Sequence, residues 1–171
     1  DSVQPIVDAG QALIVGNDFN IGEEISLLPT PGHTPGHYCV HIDSGDSSAI
    51  LSGDLIHHPL QIVRPDWRTN FCNNPLLACE TRKAFVNRYV DSGVMLFAAH
   101  FAEPTVGLIA SHHDKIYFCL ANNSAVLSLL EDPFFNSFFT VFGFISILAT
   151  NVRSITSSPL DKLIPLIPLE D

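Results

Sequence analysis

Three separated stretches of this 171-residue chain carry side chains of the kind that bind divalent metal. Thr30-Pro31-Gly32-His33-Thr34-Pro35-Gly36-His37 comes first, Ser52-Gly53-Asp54 follows, and Ala98-Ala99-His100 closes the set. Imidazole nitrogen and carboxylate oxygen are the donors that a hydrolytic zinc ion takes. His33 is the strongest of them, because Pro31-Gly32 before it and Pro35-Gly36 after it exclude a helix and fix a tight loop that points one imidazole. The same Pro35-Gly36 pair argues against a helical face for His33, His37 and His41, despite their spacing of four. His37 reads instead as a hydrogen-bonding residue that fixes the loop, and His41 as a strand side chain. Asp54 follows an apolar run and a glycine, which puts a carboxylate at a strand end. His57 and His58 come just after it, where a proton-donating or substrate-binding role and a plain surface position are both open to His57.

The elements that must position these residues are β-rich at first. Residues 11–15 and 25–28 are short apolar runs bounded by Gly10, Gly16-Asn17-Asp18 and Gly22, and read as strands. Tyr38-Cys39-Val40-His41-Ile42 and Ala49-Ile50-Leu51-Ser52 flank the turn-forming Asp43-Ser44-Gly45-Asp46 and read as a hairpin. Its first strand leaves the His33 loop and its second leads to Asp54, so one hairpin brings two donors to one sheet edge. A helix is expected over 75–91, with Asn74 capping it, Pro75 at its first position and Ser92-Gly93 at its end. Val94-Met95-Leu96-Phe97 then reads as a buried strand delivering His100, and 106–110 and 115–119 as a last pair turning at 111–114. The β–α–β order fits helices laid against a sheet. His112-His113-Asp114 falls in that turn and reads as a solvated loop, while Asp66, Trp67 and Glu103 are placed at the mouth of a cleft or simply on the surface.

Composition narrows the function. With Lys+Arg 8 against Asp+Glu 18, the formal charge of −10 repels phosphate backbones, and no nucleic-acid partner is expected. Cys39, Cys72, Cys79 and Cys119 form no C-x-x-C pair and read as free thiols in a reducing compartment. No serine-nucleophile elbow or phosphate-binding glycine loop is present. The chain opens at Asp1 with no secretory pattern and no initiator methionine, so the expectation is a cytoplasmic protein whose start lies upstream. After Cys119 the character changes: no charged residue falls between Pro133 and Val152, where six phenylalanines from Phe134 to Phe144 crowd together. Membrane anchoring through 134–150, a soluble packed helix carrying Phe134, Phe138 and Phe142 at helical spacing, and a tail with no defined role are the three readings of this segment. Pro165 and Pro168 exclude a regular helix at the end.

The Gly-His-Thr-Pro-Gly turn at 32–36, Gly53-Asp54 and the late His100, in this order, resemble the second half of the metallo-β-lactamase-fold hydrolases. The resemblance covers about residues 1–119 and leaves 120–171 as an apolar, helical tail. It implies an α/β fold, half or more of an αββα sandwich, with the metals at one sheet edge. It also implies a metal-dependent hydrolase of small molecules, in which metal-bound hydroxide attacks an ester, lactone or phosphoester. Two zinc ions are expected in such a site, with His33 on one, His100 on the other and Asp54 bridging them. Gly53-Asp54-Leu55-Ile56-His57 is similar to the phosphotriesterase-like branch. The lactonase branch has a tyrosine three residues after the bridging aspartate, where this chain has His57, which makes His57 the catalytic candidate. The superfamily's first-half run, His-x-His-x-Asp-His, does not occur here. It would supply two ligands to the first metal and an aspartate and a histidine to the second. Two expectations follow: a hydrolase of which this chain is an incomplete part, and a non-catalytic truncated module that works through another copy, a complementing chain or a membrane. In either case the missing half is expected to leave one apolar sheet face bare.

Overall fold

A computed structural model describes residues 3–17, 19–102 and 105–141. Among the described residues, thirteen elements run in the order α1 (Gln4–Asp8), β1 (Asn20–Ile21), β2 (Ile25–Pro29), β3 (Tyr38–Asp43), β4 (Ser48–Leu51), a 3-10 turn (Gly53–Leu55), α2 (Leu60–Val63), α3 (Pro75–Tyr89), β5 (Met95–Phe97), β6 (Val106–His112), β7 (Lys115–Leu120), α4 (Asn123–Glu131) and α5 (Pro133–Val141). The strands form one sheet in sequence order. Every pairing is antiparallel except β4 with β5, where Ile50 lies opposite Leu96 and α3 makes the crossover. Strands β2, β4 and β5 therefore run the same way, and the chain leaves all three at the same sheet edge.

Alternation along the strands splits the core between the two faces. Cys39, Ile50, Leu96 and Ile109 point to the face covered by α3, which presents Phe85, Val86 and Tyr89. Ile42, Ala49, Phe97 and Val106 point the other way, where Val126 and Leu129 of α4 and Phe135 of α5 pack on them. The face expected to be bare thus has a cover from this chain's own tail helices. Ser44 Oγ in the β3–β4 turn donates to Asp132 Oδ1 at 3.0 Å, tying the α4–α5 junction to the sheet. Asp132 is extended and Pro133 cannot continue α4, so the phenylalanine-rich segment starts as a separate helix.

Two expectations about elements need correction. Residues 11–15 form no strand: Leu13 and Ile14 are 74% and 97% exposed, and the apolar run pairs with no strand among the described residues. Helix α3 starts as expected, with Asn74 Oδ1 accepting from the Leu77 N–H at 3.1 Å, but ends at Tyr89 because Val90 is extended and Asp91 has φ 55°. No helix among the described residues is long and apolar enough to cross a membrane, and residues 142–150 of the segment weighed as an anchor lie outside them.

Candidate metal centre

The loop after β2 is clamped from two sides. Gly32 packs its backbone against α3, where a Cβ would fall 2.4 Å from Ala78 N and Cα, and its φ of 134° is open only to glycine. The N–H groups of Asn73 and Asn74 donate to the carbonyls of His33 (2.8 Å) and Gly32 (2.9 Å), and Thr81 Oγ1 donates to Pro31 O at 2.7 Å. His37 supplies the second clamp. Its Nε2 accepts the Asp54 N–H at 2.9 Å, so in the neutral ring the proton sits on Nδ1, which donates to Thr30 Oγ1 at 2.7 Å. Gly53 lets that contact form: it has φ 50°, and a Cβ there would lie 2.9 Å from His37 Nε2. Burial lowers the His37 pKa and favours this neutral ring.

Held in this way, the three donor stretches meet over Asp54. Its Oδ2 lies 3.3 Å from His33 Nε2 and its Oδ1 2.5 Å from His100 Nε2. The His100 hydrogen bond holds the carboxyl below its ordinary pKa against the opposing effect of burial. His57 stacks on His100 with ring centroids 4.9 Å apart and planes at 14°, and its centroid is 5.2 Å from that of His33. One donor atom from each of His33, Asp54 and His57 lies within 4.8 Å of the others. Burial, then the proximity of His100 and His33, lowers the His57 pKa. The four residues that the sequence marks as metal or catalytic candidates, His33, Asp54, His57 and His100, are therefore in one cluster.

The structure adds residues that sequence reasoning passed over. Arg82 is 1% exposed and its guanidinium donates to the carbonyls of Leu55 (3.0 Å), Pro65 (2.8 Å) and Trp67 (2.9 Å), so it ties both ends of the segment carrying His57. Gln61, also buried, accepts the His57 N–H at 2.8 Å and donates to Trp67 O at 3.1 Å. Cys72 Sγ lies 4.0 Å from His33 Nδ1, on the side of the ring away from Asp54. A cleft of about 250 Å³ opens beside His57, lined by His58, Leu60, Trp67, Arg68 and Thr69. Asp66 pairs with Arg64 at 3.5 Å, while Glu103 lies outside the described residues. His112 is the exposed last residue of β6 and His113 lies in the β6–β7 turn, and neither joins the cluster.

The chain belongs to the metallo-β-lactamase superfamily, which it matches over residues 2–119. Among solved structures it is similar to the hydrolase AbOPH of the β-lactamase superfamily, at 23% identity and a TM-score of 0.65 over 70% of this chain and 42% of that one. It is also similar to AidC, a dizinc quorum-quenching lactonase in complex with a product, N-hexanoyl-L-homoserine, at 22% identity and TM-score 0.62, with 71% and 42% of the two chains covered. A probable metal-dependent hydrolase from Staphylococcus aureus follows at 16% identity and TM-score 0.57, over 67% of this chain and 42% of that one. The likeness establishes the fold, and the chain spans less than half the length of these relatives. No functionally curated protein matches it.

Proposed function

We propose that this chain carries the second half of the active site of a metal-dependent hydrolase of small esters, lactones or phosphoesters. The observation that carries the reading is the division of Asp54, one carboxylate oxygen facing His33 and the other facing His100. A carboxylate with an imidazole at each oxygen is a donor set suited to divalent ions, which His33, Asp54 and His100 would hold. Three imidazoles and one carboxylate form a donor set of the right chemistry for zinc, and His57 Nδ1 is buried with no hydrogen-bond partner among the described residues. When bound, such ions acidify water and polarise the substrate's electrophilic centre. The chain's own residues orient and enclose: His37 and Gly53 set the Asp54 backbone, Arg82 and Gln61 set the segment bearing His57, and Trp67 and Leu60 offer apolar surface to the substrate. His57 borders the cleft, and on this reading it meets a substrate oxygen or donates a proton.

The resemblance assigns further ligands to a first-half run absent from these 171 residues, so activity is expected from this chain together with a complementing half. The test is hydrolysis of a lactone and a phosphotriester with zinc, by this chain mixed with the first half of a homologous hydrolase. Turnover that Asp54→Asn abolishes supports the reading, and turnover unaffected by that change overturns it. A second reading, a non-catalytic module, is favoured by α4 and α5 lying on the sheet face opposite α3, where the other sheet of the sandwich would pack. A mixture that never associates, in a chain that folds alone, would favour it.

A further inference from the structure

We propose that this chain by itself holds one divalent transition-metal ion between His33, Asp54 and His57, with His57 supplying the ligand that half of a dinuclear site otherwise lacks. The inference rests on the reading of His33 and Asp54 as metal ligands and adds to it a residue from the same chain.

Geometry is the first support. A tetrahedral ion with bonds of 2.0–2.1 Å sets its donor atoms roughly 3.3 Å apart. The chosen atoms of His33, Asp54 and His57 are all within 4.8 Å of one another, so side-chain rotations of about 1.5 Å or less close the set. The residues come from different elements: the clamped loop after β2, the 3-10 turn, and the segment that Arg82 and Gln61 fix. A site built on such supports is largely formed before the ion arrives.

The second support is independent of the distances. His57 Nδ1 is buried with no partner among the described residues, although its ring lies beside two other imidazoles and a carboxylate. Coordination through Nδ1 would give that buried atom a strong polar partner. A coordinated nitrogen has no proton to donate, so in the single chain the ligand role excludes the general-acid role through that atom.

Charge favours one ion over two. One carboxylate among neutral imidazoles leaves a net charge of about +1 with a single divalent ion and about +3 with two, and the latter is strongly unfavourable in a partly buried cluster. With one ion bound, His100 keeps its 2.5 Å bond to the outer oxygen of Asp54 and orients that ligand, and a fourth position stays open.

The test is cobalt(II) and zinc(II) titration of the dialysed full chain, read by visible d–d absorption and by competition with a metal-binding dye. The expected result is one ion per chain with a tetrahedral cobalt spectrum. His57→Gln weakens binding about 100-fold and changes the spectrum, whereas His113→Gln changes neither. His57→Ala, with the urea midpoint of each metal-free variant, guards against a folding defect. Unchanged affinity and spectrum in His57→Gln would overturn the inference. If His33→Gln and Asp54→Asn abolish binding in that same experiment, the hydrolase reading stands without it. If they too have no effect, the assignment of His33 and Asp54 fails as well. No bound ion in the unmodified chain overturns the inference alone, because the hydrolase reading is tested with the complementing half present.

Discussion

Replacing Arg82 by methionine tests whether one buried cation holds the segment on which His57 rides. The guanidinium donates to three backbone carbonyls and, among the described residues, no carboxylate pairs with it. Methionine keeps much of the stem and removes every donor. The Leu55 carbonyl, whose bond to Nε is buried, would lose its partner in a dry environment, at a cost of about 1–3 kcal/mol. Pro65 and Trp67 take the other two bonds near the cleft, where water can replace the guanidinium, at about 0.5–1 kcal/mol each. Relief from burying an unpaired charge returns part of this, which leaves a net loss of about 2–3 kcal/mol. With an m-value of about 2 kcal/mol/M, the urea midpoint falls by about 1–1.5 M. Lysine keeps the charge but not the planar fork, so Arg82→Lys falls between the two. The assay is equilibrium unfolding in urea, followed by far-UV circular dichroism on metal-free protein. A midpoint for Arg82→Met within about 0.25 M of the unmodified chain would refute the assignment of this guanidinium as the clamp.

The remaining expectations can be checked on the same preparation. Gly32→Ala drives a Cβ into the Ala78 backbone at φ 134° and separates the His33 loop from α3, costing about 2–4 kcal/mol; a thermal unfolding curve matching the unmodified chain would contradict this. Cys39 is 0% exposed and burial pushes its thiol up to about 11, so iodoacetamide near pH 8 labels Cys72 and spares Cys39 in the native protein; equal labelling by mass spectrometry would count against the buried site. Burial lowers the pKa values of His37, His41 and His57, so the unfolded chain takes up protons first as pH falls. Their contribution is complete above the ordinary histidine value of about 6.5 and is lost as pH falls below it towards the depressed values, so the metal-free urea midpoint drops from about pH 7.5 to about pH 5. A midpoint that rises over that interval would be incompatible with these shifts. Phe135→Ala empties a fully buried position under the sheet and is expected to cost about 3–5 kcal/mol, whereas a change below about 0.5 kcal/mol would mean that α5 is not part of the folded unit.

What the sequence reveals of this site follows from where each residue sits. His33 is legible because proline and glycine on both sides restrict a backbone to a few conformations, and Asp54 and His100 because apolar runs deliver them to strand ends. These are local signals. The grouping of all three with His57 is a tertiary fact, created by the common direction of β2, β4 and β5. Arg82 shows the opposite case: an arginine on a helix reads the same whether it faces water or three carbonyls, and the carbonyls it meets are contributed by residues 15 to 27 positions away. The run over residues 11–15 is a related case, since whether an apolar run joins a sheet is decided by tertiary pairing that its own residues do not encode. The phenylalanine cluster fits a buried helix and a membrane segment equally well on hydropathy alone, and only the sheet face beneath Phe135 separates them for the residues described.

Folding and ligand supply place different demands on this chain. The sheet needs cover on both faces, and α3 on one side with α4 and α5 on the other provide it without help from a second half. The donor loops need only the common edge of β2, β4 and β5 and the clamps at Gly32, His37 and Arg82, all of which lie within residues 25–97. On the proposed reading, such a chain keeps an ordered edge that binds metal while lacking the charge to hold a second ion. The aspartate that the first-half run would contribute bears on that shortfall, because it would lower the charge of a two-ion site from about +3 to about +2 and add donors to both ions. If both proposals hold, association with a first half would compete with α4 and α5 for the apolar face and would free His57 from the metal for a substrate.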